Sequence, residues 1–226
     1  MEHAVRELYV DSVEFRYQYD KQLFSGVYFS LKIGDVAGLL GRNGCGKTTL
    51  MKIIFGSLRA KFAYIRVNGK KVNCALRTKE VSYLPQDSFL PTSYTVRQMI
   101  EYLISQAANR DKIMKVDLIQ PILDTRIANI SGGELRLLEV LLIMEMPASF
   151  VLLDEPFSGL TPIIVETIQQ IILEKSQSKG ILISDHQYLN VLDVCNQLYL
   201  LENGGCRKIN NKQELETFYV PDHTFD

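Results

Sequence analysis

A glycine-rich loop between an apolar strand and an apolar helix constrains this chain more than any other feature. Val36-Ala37-Gly38-Leu39-Leu40 reads as a buried strand, and Leu50-Met51-Lys52-Ile53-Ile54-Phe55 reads as a helix. Between them runs Gly41-Arg42-Asn43-Gly44-Cys45-Gly46-Lys47-Thr48-Thr49. This order wraps backbone N–H groups around a polyphosphate and aims a helix N-terminus at it. Glycine has no Cβ, so such a loop curls tightly and comes close to phosphate oxygens. The spacing assigns Gly41, Asn43, Gly44, Cys45, Gly46, Lys47, Thr48 and Thr49 to phosphate binding. Lys47 supplies a point charge to the β- and γ-phosphates, and the Thr48 hydroxyl a ligand to Mg²⁺. The expected ligand is ATP with Mg²⁺.

A second acidic element belongs with this loop. Phe150-Val151-Leu152-Leu153 is a continuous apolar run, as in a parallel strand buried on both faces, and Asp154-Glu155 follows it directly. Ligands of parallel sheets collect at the carboxyl ends of the strands, where the phosphate loop also begins. Asp154 is therefore assigned to Mg²⁺, and Glu155, one residue on, to an attacking water.

The rest of the chain reads as one unit without repeats or linkers. Residues 9–19 and 27–33 read as strands joined by a polar turn, 62–67 as a strand ending at Asn68-Gly69, and 81–84 as a strand stopped by Pro85. Helical spacing covers 95–106, with a weaker helix expected around 114–119 and a strong one over 132–145. Thr161-Pro162 opens a further helix to about residue 178, with Thr161 as its cap. Strands 180–184 and 197–201 flank a helix over 187–195. The expected fold is α/β, a P-loop NTPase core with a parallel-rich sheet, N-terminal antiparallel strands and a small helical subdomain. The whole chain, 1–226, is taken as a single domain, with the helical subdomain about 87–145 inserted in it.

Ser131-Gly132-Gly133-Glu134 precedes the strong helix as a capping box, in which each side chain satisfies a terminal N–H. Two glycines in a first turn cost about 1 kcal/mol each relative to alanine, so capping alone does not explain them. Bare N–H groups at a helix start suit an anion, which makes Ser131, Gly132 and Gly133 a second phosphate-binding surface.

With these motifs in order, the chain resembles the ATP-binding cassette (ABC) transporter ATPases. Ile130-Ser131-Gly132-Gly133-Glu134 is similar to the family signature. Gln86, after Tyr83-Leu84-Pro85, resembles the Q-loop glutamine, Ser158-Gly159-Leu160-Thr161 the D-loop, and His186 in Ser184-Asp185-His186 the switch histidine. The resemblance covers roughly residues 8–218. It implies a nucleotide-binding subunit that pairs head to tail with a second cassette, in a homodimer or with a partner cassette, each phosphate loop facing the other's signature. It implies Lys47, Gln86, Glu155 and His186 in hydrolysis, and Thr48, Gln86 and Asp154 at Mg²⁺. It also implies an aromatic residue stacked on adenine: Tyr17 is the choice, Tyr19 fits nearly as well, and both suit plain strand packing. The phrases Leu153-Asp154-Glu155-Pro156-Phe157-Ser158-Gly159 and Ser184-Asp185-His186-Gln187 resemble ATPases of lipopolysaccharide and lipid export.

The resemblance further implies transmembrane permease partners and a position at the cytoplasmic face of a membrane. Composition agrees with that part: net charge is −1, so no basic field recruits nucleic acid, and no nucleic-acid partner is expected. No apolar run reaches the roughly 18–20 residues of a membrane helix, and residues 1–6 hold no apolar signal core. Cys45, Cys74, Cys195 and Cys206 are scattered, which excludes a metal-ligand pattern and fits a reducing compartment. Cys45 is expected to carry thiolate character from the helix N-terminus and Lys47, and its alkylation to block nucleotide binding. The chain departs from the family in Glu134 for Gln, in Thr161 for Asp, and in a short segment between Gln86 and Ser131. The alternatives are a soluble cassette remodelling a nucleoprotein, in translation or DNA repair, and a P-loop kinase.

Overall fold

The structure is a computed structural model that describes residues 6–17, 22–210 and 214. The chain opens with β1 (Glu7–Arg16), β2 (Gln22–Lys32) and β3 (Val36–Leu40), followed by α1 (Lys47–Phe55). Next come β4 (Phe62–Val67), β5 (Lys70–Val72) and β6 (Val81–Leu84). Helices α2 (Val96–Leu103), α3 (Ala107–Met114) and α4 (Gly132–Glu145) precede β7 (Phe150–Asp154). The last elements are α5 (Pro162–Ser176), β8 (Gly180–Ser184), α6 (Tyr188–Leu192), β9 (Gln197–Glu202) and β10 (Gly205–Ile209).

The strands follow the order β5-β4-β1-β2-β10-β9-β3-β8-β7-β6. The stretch β9-β3-β8-β7-β6 is parallel throughout, and β1, β2, β4 and β5 pair antiparallel. Strand pairing joins the two regions at one residue pair, Gly205 of β10 beside Gly26 of β2, supported by Ser25 N–H donating to the Gly204 carbonyl at 2.9 Å.

The central strands are apolar without alternation because both of their faces are covered. On β7, Val151 and Leu153 pack with α4 and α5, whereas Phe150 and Leu152 pack with α1 and the antiparallel strands. Ile181 and Ile183 divide from Leu182 in the same way on β8. The α/β, parallel-rich fold expected from sequence is what forms.

Three elements differ from expectation. The weaker helix lies at Ala107–Met114, not 114–119: Lys115 closes it by donating to the Asp111 carbonyl at 3.1 Å, and Pro121 lacks the N–H to extend a later one. Strands β5 and β10 were not expected. Each follows an Asn-Gly turn, Asn68-Gly69 and Asn203-Gly204, with both residues at positive φ as a type I′ hairpin requires. Among the described residues, no helix is long and apolar enough to cross a membrane.

Candidate active site

The phosphate loop leaves β3 at the carboxyl end of the sheet. Gly46 caps α1 at φ 106°, and a Cβ there would fall 2.7 Å from Phe24 Cζ, so only glycine fits. Lys47 turns its ammonium back over the loop and donates to the Gly41 carbonyl at 2.7 Å. A cavity of about 800 Å³ opens beside the loop, lined by Asn43, Gly44, Gly46, Lys47, Thr48 and Thr49 on one wall. Gln86, Glu155 and His186 line another, with Tyr17 and Leu23 at the remaining edge. Tyr17 is half exposed, its ring edge-on to Phe15 and its hydroxyl 2.9 Å from Thr49 Oγ1. Tyr19 lies outside the described residues.

The end of β7 carries both carboxylates in different settings, and of the two only Glu155 lines the cavity. Asp154 is fully buried and accepts from Thr48 Oγ1 at 3.1 Å, Tyr83 Oη at 2.9 Å and Ser184 Oγ at 3.3 Å. Burial pushes its carboxyl above the ordinary carboxylate range, against the pull of those hydrogen bonds and of Arg136. Burial and then the Asp154 charge push the Tyr83 phenol far up, so it stays a donor. Glu155 takes φ 53°, the left-handed region, with its N–H donating to the Ser184 carbonyl at 2.6 Å. That turn leaves the apolar strand and points the carboxylate at the cavity. Its Oε2 accepts from Gln86 Nε2 at 3.1 Å and lies 3.6 Å from His186 Nδ1. His186 is itself held at a turn where the fully buried Asp185 accepts from the N–H groups of Phe157 and Gln187, both at 2.8 Å.

The signature residues lie elsewhere. Gly132 and Gly133 line a second cavity of about 550 Å³ with Ser158, Gly159 and Leu160, and the two cavities share Gln86 and Glu155. The capping box is formed: Ser131 N–H donates to Glu134 Oε2 at 2.8 Å, and Glu134 N–H to Ser131 Oγ at 3.2 Å. A Cβ on Gly133 would meet Ile164 Cδ1 at 2.7 Å, but one on Gly132 would meet nothing within 4 Å.

Two expectations are corrected. The Cys45 thiol is pushed up, not down, because burial outweighs the Lys47 charge and the backbone hydrogen bonds. It lines a separate cavity of about 410 Å³ behind the loop, with Arg42 and Glu202. Thr161 occupies the N-cap position of α5 without a side-chain capping bond.

Sequence reasoning missed Leu23, Tyr83, Ser184, Asp185 and Arg136. Tyr83 carried a usable signal, because an alternating strand that ends beside the Asp154 strand points its phenol along that edge. The donors brought together here, the Thr48 hydroxyl and the buried Asp154 carboxylate 3.1 Å apart, are hard and few. They suit Mg²⁺, which keeps several waters and takes phosphate oxygens.

Comparison with known proteins agrees with this geometry. A family model described as ABC transporter matches residues 24–158. The chain is 31% identical over 196 residues to the lipopolysaccharide export system ATP-binding protein LptB of Acidithiobacillus ferridurans, covering 80% of this chain and 81% of that one. It is 28% identical over 198 residues to LptB of Escherichia coli strain K12, covering 81% and 82%. The ATP-binding subunit of an ABC transporter superposes with a TM-score of 0.81 at 22% identity, covering 93% of this chain and 92% of that one. The family model spans more than half of the chain, and this protein belongs to the ABC transporter ATPase family.

Proposed function

We propose that this chain binds and hydrolyses Mg-ATP as the energy-supplying subunit of a membrane transporter, paired with a second cassette and with separate permease subunits. The observation that carries the reading is the convergence of Glu155, Gln86 and His186 on the wall facing Lys47 and Thr48 across one cavity. Thr48 and Asp154, with Gln86, would hold Mg²⁺, which would neutralise phosphate charge when bound. Lys47 exchanges its loop carbonyl for β- and γ-phosphate oxygens. Glu155 accepts a hydrogen bond from the attacking water and orients it, while His186 and Gln86 fix the carboxylate. Tyr17 offers its ring to adenine.

Head-to-tail pairing is supported by the separation of signature and phosphate loop into two cavities, and by Gly132. Among the described residues nothing requires glycine at that position, so a ligand from outside is the economical reason for it. The segment 87–145 serves as the helical subdomain in this reading, and its exposed Phe89, Tyr94 and Tyr102 face a permease at the cytoplasmic side. The relatives named for lipopolysaccharide export favour a lipid-type cargo.

Glu155→Gln tests the chemistry. Turnover is expected to fall at least about 100-fold, roughly 3 kcal/mol, with ATP binding kept. Near-wild-type hydrolysis would remove Glu155 from that role. The same variant, purified with Mg-ATP from solubilised membranes, should bring a multi-span protein in stoichiometric amount. Recovery with ribosomes or nucleic acid instead would favour nucleoprotein remodelling.

A further inference from the structure

We infer that Arg136, paired with Glu139, is a positioning residue that locks the turn at Asp154-Glu155 and the Gln86 loop onto helix α4. The inference rests on the reading of Glu155 as the residue that orients water. In sequence, an Arg and a Glu three apart on a helix read as a solvated surface pair. Here they are buried, at 8% and 1% exposure. Arg136 Nη1 donates to the Pro85 carbonyl at 2.8 Å and to Glu139 Oε2 at 3.3 Å. Its Nη2 donates to the Asp154 carbonyl and, at 3.2 Å, to the Glu155 carbonyl. Glu139 Oε1 in turn accepts from Ser88 Oγ at 2.7 Å and from Phe89 N–H at 3.0 Å.

One ion pair thus ties together three segments distant in sequence: the signature helix, both sides of the Gln86 loop, and the strand end that carries both carboxylates. Glu155 is held on each side of its left-handed backbone, by Ser184 through its N–H and by Arg136 through its carbonyl. A planar guanidinium can span these carbonyls at once, and an ammonium cannot. A buried ion pair is poor evidence for stability, since apolar replacements are often neutral. Geometry is what such a pair supplies. A signature engaged by ligand at the start of α4 would bear on Glu155 through this pair, one turn along the helix.

The test uses Arg136→Lys and the double variant Arg136→Met/Glu139→Met, which removes both charges so that neither is left unpaired. Steady-state ATPase, affinity for a fluorescent ATP analogue and thermal melting are measured for each, with Glu155→Gln alongside. The expected result is a fall in kcat of about 10- to 100-fold, with KM and analogue affinity within about twofold of wild type. A loss of kcat only in proportion to the unfolded fraction would make the pair a structural tie and overturn the proposal. So would wild-type kcat in either folded variant while Glu155→Gln is inactive. Wild-type turnover in Glu155→Gln would instead remove the reading on which the inference rests.

Discussion

Glu155 combines two costs at a single position. Its backbone lies at φ 53°, where a non-glycine residue carries on the order of 1 kcal/mol or more of strain, and its carboxylate is pinned between Gln86 and His186. A residue chosen for stability at this turn would be glycine. Glu155→Gly is accordingly expected to raise the free energy of unfolding by about 1 kcal/mol while abolishing turnover. Urea titration of the variant beside wild type reads the first effect and an ATPase assay the second. A drop in stability would show that the turn is not strained. The place of Glu155 at the cavity was legible because Asp-Glu after an apolar run is a local pattern. Arg136 was not, because its partners lie 51 and 18 positions away and only burial distinguishes it from a surface ion pair.

Among the elements, the end of α4 is fixed by a lysine from the connection between α5 and β8. Lys179, just before β8, donates to the Met146 carbonyl at 2.7 Å and to the Ala148 carbonyl, and Lys175 pairs with Glu145 at the same place. Burial lowers the Lys179 pKa to about 8. Between there and the ordinary 10.5 of the unfolded chain, the unfolded state binds more protons, so this group makes stability rise with pH across that window. Lys179→Met should flatten that part of the curve, read as the difference between variant and wild-type urea midpoints at pH 7.5, 9 and 10. Parallel curves would show that Lys179 stays charged in the fold. Legibility at this scale followed patterning. The central strands and α4 were plain in their apolar runs, but β10 buries only Ile209 and α3 only Ile113 fully, so neither left a periodic signal.

At the scale of the molecule, the phosphate loop and the signature glycines line two adjoining cavities that share Gln86 and Glu155. Gly132 is the sharpest probe of that division. A side chain there meets open space, so Gly132→Val should fold with stability within about 0.5 kcal/mol of wild type and keep monomer ATP affinity. If a second cassette docks its nucleotide on α4, the variant loses turnover, and Gly132→Val/Glu155→Gln no longer forms an ATP-dependent dimer on size-exclusion chromatography. Full activity would detach the signature from catalysis.

The narrow join between the two sheet regions has its own consequence. Gly26 and Gly205 form the single strand pair there, and the cavity is lined from both regions, by Tyr17 and Leu23 on the antiparallel side and by the phosphate loop on the parallel side. A nucleotide held as proposed, at its base by one region and at its phosphates by the other, would bridge the two sheet regions at their mouth. The regions also share one core, in which Phe24, Phe29 and Leu31 cluster with Met51, Leu152 and Tyr199, so a ligand spanning both would lean on a seam that is closed beneath it.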